Sequence, residues 1–199
     1  MSRNHIFRQV VILLLCTAAI FTASTSAGQE KRSHQVALSV ETSVKKDSKK
    51  EKESRLDQNG NTVTTTTDTR TDDCTLVIEI ENGSDHSGTY ELVTALLSRK
   101  SGADKPDISD VFRKNITVAG GGVFNDTVRK QLVFTDKVVD YSGWDSRRTR
   151  AGETYEGYIV FVKADGEILA QESSSSRFLK DEWISRCEAS APKPAARKK

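Results

Sequence analysis

Histidine is almost missing from this chain. Only His5, His34 and His86 occur, and His5 lies in a segment that reads as a removable leader. A Ser-His-Asp arrangement needs a buried carboxylate behind the imidazole and a serine in front of it. Adjacency in the string Asp85-His86-Ser87 cannot supply that geometry, so Ser84 to Gly88 reads as a solvated turn. Cysteine is as scarce, with Cys16, Cys74 and Cys187. Two cysteines beyond the leader, together with distant His34 and His86, lack any zinc-ligand spacing. Cofactor motifs are missing as well. Gly120-Gly121-Gly122 has neither the Lys-Ser/Thr pair nor the following helix of a phosphate cradle, and reads as a turn. No metal and no cofactor is expected.

Long apolar runs are also lacking. The one greasy stretch, Val10 to Ala23, is broken by Thr17 and Thr22 and falls short of the roughly 20 apolar residues that cross a bilayer core. Arg3 and Arg8 precede it, Ser24-Thr25-Ser26-Ala27 follows it, and no acidic residue occurs before Glu30. A charged head, a short greasy middle and a small-residue exit mark a secretory signal. Residues 1–27 are therefore expected to be removed after Ala27. The product is expected to be exported, periplasmic or extracellular, with no stable membrane span. Cys16 follows Leu13-Leu14-Leu15, whereas lipid attachment at a bacterial lipoprotein cysteine uses Leu-small-small-Cys.

A net charge is missing too. Of 30 basic residues, Arg3 and Arg8 belong to the leader, which leaves 28 against 28 acidic ones. Such a balance gives no bulk electrostatic reason to bind nucleic acid or acidic membranes. Cys74 and Cys187 remain as a pair, and in an oxidising compartment a disulfide between them is the expectation.

What is present in quantity is period-two alternation. Val36, Leu38, Val40, Thr42 and Val44 alternate with polar residues, as in a half-buried strand. Lys45 to Arg55 is dense in charge, Asp57-Gln58-Asn59-Gly60-Asn61 is a turn signal, and Thr62 to Thr71 is threonine-rich and favours strand. An exposed polar hairpin over about 43–71 is the reading, with a disordered spacer as the alternative. Leu76, Ile78 and Ile80 alternate with Val77, Glu79 and Glu81, and Asn82-Gly83-Ser84-Asp85 then turns. Residues 75–82 and 89–99 are expected to be adjacent antiparallel strands. Further strands are expected near 112–118, 128–135, 155–163 and 167–173, the last two joined by an Asp165-Gly166 hairpin turn. A short helix is expected over Arg177 to Arg186, with a final strand as the alternative, and a disordered basic tail after it.

Many short strands at regular spacing predict an all-β, antiparallel β-sandwich, with a small open β-barrel as the alternative. The alternation through Leu76 to Asn82 into a turn, followed by a tyrosine-bearing strand, resembles one edge of an immunoglobulin-like domain over about 75–173. That resemblance implies architecture and no functional residue. The Cys-Trp-Cys core of immunoglobulin domains is not matched, because the cysteines flanking Trp144 are too far apart. The expected organisation is a signal over 1–27, an N-terminal strand with a polar, charged hairpin or spacer over 28–72, a sandwich core over 73–187, and a tail over 188–199.

Binding residues are expected in a long polar loop from Asp136 to Glu153. It holds Tyr141, Trp144, Arg147, Arg148 and Arg150, residue types that recur at binding hot spots and that suit a protein or glycan partner. Glu79 and Glu81 face one side of a strand roughly 7 Å apart, so a secreted hydrolase using paired carboxylates is the alternative to a non-enzymatic binding or structural protein. Asp68, Asp72 and Asp73 are oxygen ligands of the type calcium takes, without a spaced calcium loop. Asn82-Gly83-Ser84, Asn115-Ile116-Thr117 and Asn125-Asp126-Thr127 fit the glycosylation pattern and are read as turn chemistry.

Overall fold

A computed structural model describes residues 35–141 and 145–190. Seven strands dominate: β1 (Val36–Leu56), β2 (Thr62–Asn82), β3 (Gly88–Lys100), β4 (Asp107–Val118), β5 (Val123–Tyr141), β6 (Asp145–Ala164) and β7 (Glu167–Ser173). A 3₁₀ turn (Ser176–Leu179) and one helix, α1 (Asp181–Ala189), follow. All strand pairings are antiparallel. The fold is an all-β sandwich, not a closed barrel.

The alternation read in β2 sets the first layer. Cys74, Leu76, Ile78 and Ile80 are at most 2% exposed, whereas Val77 is 41% exposed and Glu79 and Glu81 are on the wet side. Successive side chains of a strand point to opposite faces, so β2 presents one greasy face inward. β1 and β5 flank it. The second layer runs β4-β3-β6-β7. Strands 1-2-5 facing 4-3-6-7 follow the two-sheet division of a constant-type immunoglobulin sandwich except at the fourth strand, which lies on the sheet of the third and sixth instead of that of the first, second and fifth. The inter-sheet core joins Leu76, Ile78 and Ile80 to Tyr90, Leu92, Leu96, Ile116, Val160 and Val162.

The second sheet is covered on both faces. Phe178, Ile184 and Cys187 pack onto its outer side against Val93, Ala95, Leu97, Ile159 and Phe161. Burial on both faces explains why every residue from Leu92 to Ser98 is buried and why that run reads as nearly continuous apolar sequence. Arg113 fastens the helix end, its Nη2 donating to the carbonyls of Cys187 at 2.9 Å and Glu188 at 2.7 Å.

Three expectations are corrected. Residues 75–82 and 89–99 are not adjacent strands: β2 pairs with β1 and β5, while β3 pairs with β4 and β6. The turn between them crosses from one sheet to the other. Cys74 and Cys187 are both free and buried. Cys74 lies between the sheets and Cys187 on the sheet-facing side of α1, across the second sheet, so a sheet separates the two thiols. The third correction is the polar loop, because Asp136 to Tyr141 and Asp145 to Glu153 are strand, paired from Phe134↔Gly152 to Tyr141↔Asp145.

That hairpin belongs to an extension. β1, β2, β5 and the first half of β6 continue past the sandwich with unbroken register, so that Lys52, Thr66, Val138 and Arg148 form one row. The β1–β2 turn is held by Asp57, which accepts from the backbone N–H of Asn59 at 2.9 Å and of Asn61 at 2.8 Å. β6 leaves the extension at Gly152 and from Glu153 pairs with β3 instead. Gly152 has φ +93°, and a Cβ there would sit 2.0 Å from the Val133 carbonyl oxygen. Only glycine passes so close in that conformation. Past the switch, the backbone N–H of Tyr155 donates to Asp72 Oδ2 at 3.2 Å, and buried Asp72 also accepts from Arg70 Nε at 3.1 Å.

Candidate binding cleft at the base of the extension

Strict register divides the extension into two faces. Even-numbered residues continue the inward face of β2, so Thr64, Thr66, Asp68 and Arg70 share it with Phe134, Asp136, Arg148 and Arg150. Odd-numbered residues continue the outward face, carrying Thr65, Thr67 and Thr69 beside Lys137, Val139, Tyr141 and Arg147. Apolar burial is sparse, with Val63 the buried hydrophobic residue of its part of β2. Charges occupy both faces of β1, where Lys45 to Leu56 is exposed throughout.

A cleft forms where the inward face meets the turn between β3 and β4. The backbone N–H of Ser101 donates to the Gly152 carbonyl at 2.9 Å, which docks the turn against the point where β6 changes sheets. One hollow of about 310 Å³ is lined by Arg99, Lys100, Ser101, Phe134, Asp136 and Arg150 among others. A second, of about 360 Å³, shares Lys100, Ser101 and Arg150 and reaches Glu153.

Asp136 is the electrostatic centre. Arg148 Nε donates to it at 2.8 Å and Arg148 Nη2 also binds it. Arg150 reaches it with Nε alone, at 3.3 Å. The hydrogen bond from Arg148 holds the Asp136 carboxyl below the usual carboxylate range, and Arg150 adds to the effect. Two guanidinium groups thus share one carboxylate. Arg99 pairs with Glu156 at 2.5 Å, and Ser98 donates to Glu153. Lys100 forms no ion pair among the described residues.

The expected binding residues are therefore split. Arg148 and Arg150 lie on the inward face, Arg150 lining the cleft and Arg148 reaching it through Asp136, whereas Tyr141 and Arg147 lie on the outward face. Tyr141, 43% exposed, pairs with Asp145, five positions from Arg150 and so roughly 17 Å along the strand. Trp144 lies outside the described residues. Arg99, Lys100, Phe134 and Asp136 join the site through long-range pairing that no local alternation announces. Asp136 and Arg148 in one segment, spaced for a hairpin, was the available signal.

Other candidates are dispersed. Glu79 and Glu81 stand exposed on the outer face of the first sheet, beside Ser39 and Ala37 of β1 and Asn125 and Val123 of β5. Asp72 faces inward to Arg70, while Asp73 accepts from Gln131 at 2.8 Å. Asp72 and Asp73 therefore do not converge on one ion. His86 is exposed in its turn. Asn82 is fully buried: its amide nitrogen donates to the carbonyls of His86, Val118 and Ala119, and its oxygen accepts from Ser84 N and Oγ. It latches three segments at the opposite end of the sandwich, in keeping with the turn reading.

Both thiols are chemically quiet. Burial raises the Cys74 thiol, although the Tyr155 hydroxyl beside it opposes the shift. Burial pushes Cys187 up to about 11. Thiols held protonated are poor nucleophiles.

No family model matches the chain, and no curated protein matches it. Among solved structures, a Trichoderma reesei beta-D-glucoside glucohydrolase aligns at 14% identity and a TM-score of 0.32, over 71% of this chain and 19% of that one. Bacteroides uniformis beta-glucuronidase 2 aligns at 10% identity and a TM-score of 0.26, over 46% and 13%. A structural-genomics target, SoR45, aligns at 7% identity and a TM-score of 0.23, over 58% and 84%. The chain thus spans less than a fifth of either hydrolase. Likenesses of this grade carry no argument about activity.

Proposed function

We propose that this chain is an exported, non-enzymatic binding protein of the cell envelope or extracellular space, with its ligand surface in the strand extension and basal cleft. The observation that carries the reading is the extension itself. Ordering a residue's backbone costs about 1–2 kcal/mol, normally offset by apolar burial. Here a four-stranded polar sheet is ordered with little such burial. A surface kept for contact with something else accounts for that pattern.

The leader-like residues 1–27 support export. Against hydrolysis stand the exposed position of Glu79 and Glu81 on the outer face of the first sheet, the exposed turn around His86, and the engagement of Asp136 by arginines. Binding residues on a rigid scaffold are the common arrangement. The test is a screen of the purified protein against glycans, peptidoglycan and envelope proteins, repeated with an Arg148→Gln/Arg150→Gln variant. Saturable binding that the variant loses is expected. Steady turnover of a glycoside or ester by the parent protein, abolished by removing a carboxylate, would overturn the reading.

A further inference from the structure

The basal cleft combines three features that together select a ligand class. Its lining is basic: Arg99, Lys100 and Arg150 stand around the carboxylates of Asp136 and Glu153. Since Arg99 is engaged by Glu156 and Arg148 by Asp136, Lys100 and Arg150 carry the donors still open to a ligand. Arg150 spends only its Nε on Asp136, at 3.3 Å, so its two Nη groups are left for the cleft. A guanidinium offers paired donors that fit a carboxylate or sulfate bidentately. Phe134 supplies an apolar wall beside them. The hollows, about 310 and 360 Å³, sit at the small end of ligand sites, which run about 300–1,000 Å³.

We propose that the cleft binds an acidic saccharide, with the sugar's carboxylate or sulfate on Arg150 and Lys100 and its ring against Phe134. This rests on the binding reading above. Nucleic acid and anionic membranes fit less well. Both are recognised by extended positive surfaces, whereas positive and negative groups are interspersed over the extension. A ring with an apolar face and one anionic group uses all three features at once.

Arg150 has a built-in control. Arg147 belongs to the same strand and has the same charge, but the register turns it to the opposite face.

Titration calorimetry of the purified protein decides the matter, with an oligogalacturonate, a sulfated heparin-derived oligosaccharide, a neutral maltooligosaccharide of equal length, and phosphatidylserine vesicles as probes. At least one acidic saccharide is expected to bind, with the neutral sugar weaker by about tenfold or more, the order of a lost charge-assisted hydrogen bond. Arg150→Gln should lower acidic-sugar affinity by about tenfold and Arg147→Gln by less than about twofold. Circular dichroism should be unchanged in both. Equal affinity for the neutral sugar, equal loss with Arg147→Gln, binding to vesicles alone, or no binding to either acidic saccharide would each overturn the proposal. If a different ligand binds and loses affinity in the Arg148→Gln/Arg150→Gln variant, the acidic-saccharide assignment falls while the binding reading stands.

Discussion

One strand, β2, lives in two environments. From Cys74 to Asn82 its inward side chains are closed off between two sheets. From Thr62 to Thr71 the same strand, with the same partners β1 and β5, carries mostly half-exposed threonines on both faces. Backbone pairing is equivalent in both halves, so hydrogen bonding does not distinguish them. The difference lies in what stands opposite. The sandwich half faces a second sheet, and the extension half faces solvent and one turn. Stability should therefore concentrate below Asp72, leaving the upper half free to vary in side-chain chemistry.

The sharpest way to break that comparison is to make a large-to-small change in each half. Ile78 is fully buried in the core, and Ile78→Ala should cost about 2–5 kcal/mol. Thr67→Ala, on the outward face of the extension, should cost under about 1 kcal/mol, the span of strand propensity. Urea denaturation of the two variants measures both. Similar losses would mean that the extension contributes to stability as the core does.

The boundary is the next target. Gly152 marks where β6 changes sheets, and Gly152→Ala would force a Cβ to within 2.0 Å of the Val133 oxygen at φ +93°. A destabilisation of about 1–3 kcal/mol is expected from the backbone strain alone. Because Ser101 docks on the Gly152 carbonyl, ligand binding at the cleft should weaken with it. A thermal melt close to the parent's would show that β6 can switch sheets by another route.

The same comparison explains what the sequence could reveal. Leu76, Ile78 and Ile80 alternate with polar neighbours because one face is dry, and period two was visible there. At Asp165-Gly166 the turn was legible because both residues take positive φ, 50° and 84°. The stretch 136–153 reads as a loop because it is polar on both faces, and alternation vanishes when neither side is buried. Cysteine parity likewise counted two thiols but carried no information on which face of a sheet each would occupy. The cleft draws Arg99 and Lys100 from β3 and Phe134 and Asp136 from β5, residues brought together only by long-range pairing. Gly152 carries no sequence signal of its role, because a lone glycine in a charged segment resembles any loop glycine.

A smaller effect separates the layers by chemistry. Cys187, raised by burial to about 11 from an ordinary value near 9, binds its proton more tightly folded than unfolded. Stability from this group is fully present below about pH 9 and is lost as pH rises toward 11, because the unfolded thiol ionises first. Cys187→Ser should flatten the fall in melting temperature over that window. Both thiols should resist a charged disulfide reagent at neutral pH until denaturant is added. A peptide containing linked Cys74 and Cys187 in a non-reducing digest of the native protein would contradict the separation of the two clusters.

The smallest effect on folding, and the most telling for the extension, concerns its open edge. Among the described residues, β1 from Lys45 to Leu56 pairs with β2 alone, leaving a row of backbone groups able to accept another strand. Natural sheets guard such edges with charge, lysine above all, and this edge carries Lys45, Lys46, Lys49, Lys50 and Lys52. Their side chains project from both faces and outnumber the acidic Asp47, Glu51 and Glu53 of the same stretch, so a second copy approaching the edge meets net positive charge. Among them only Lys49 forms an ion pair within the described residues, with Glu51, so little native structure depends on them. Replacing Lys49, Lys50 and Lys52 together with threonine should leave the melting temperature near the parent's. The variant should nonetheless associate with rising concentration in sedimentation velocity, while the parent sediments at a constant value. If the variant stays as dispersed as the parent, charge is not what keeps this edge unpaired. If it melts much earlier, β1 is held by contacts that its exposure does not suggest.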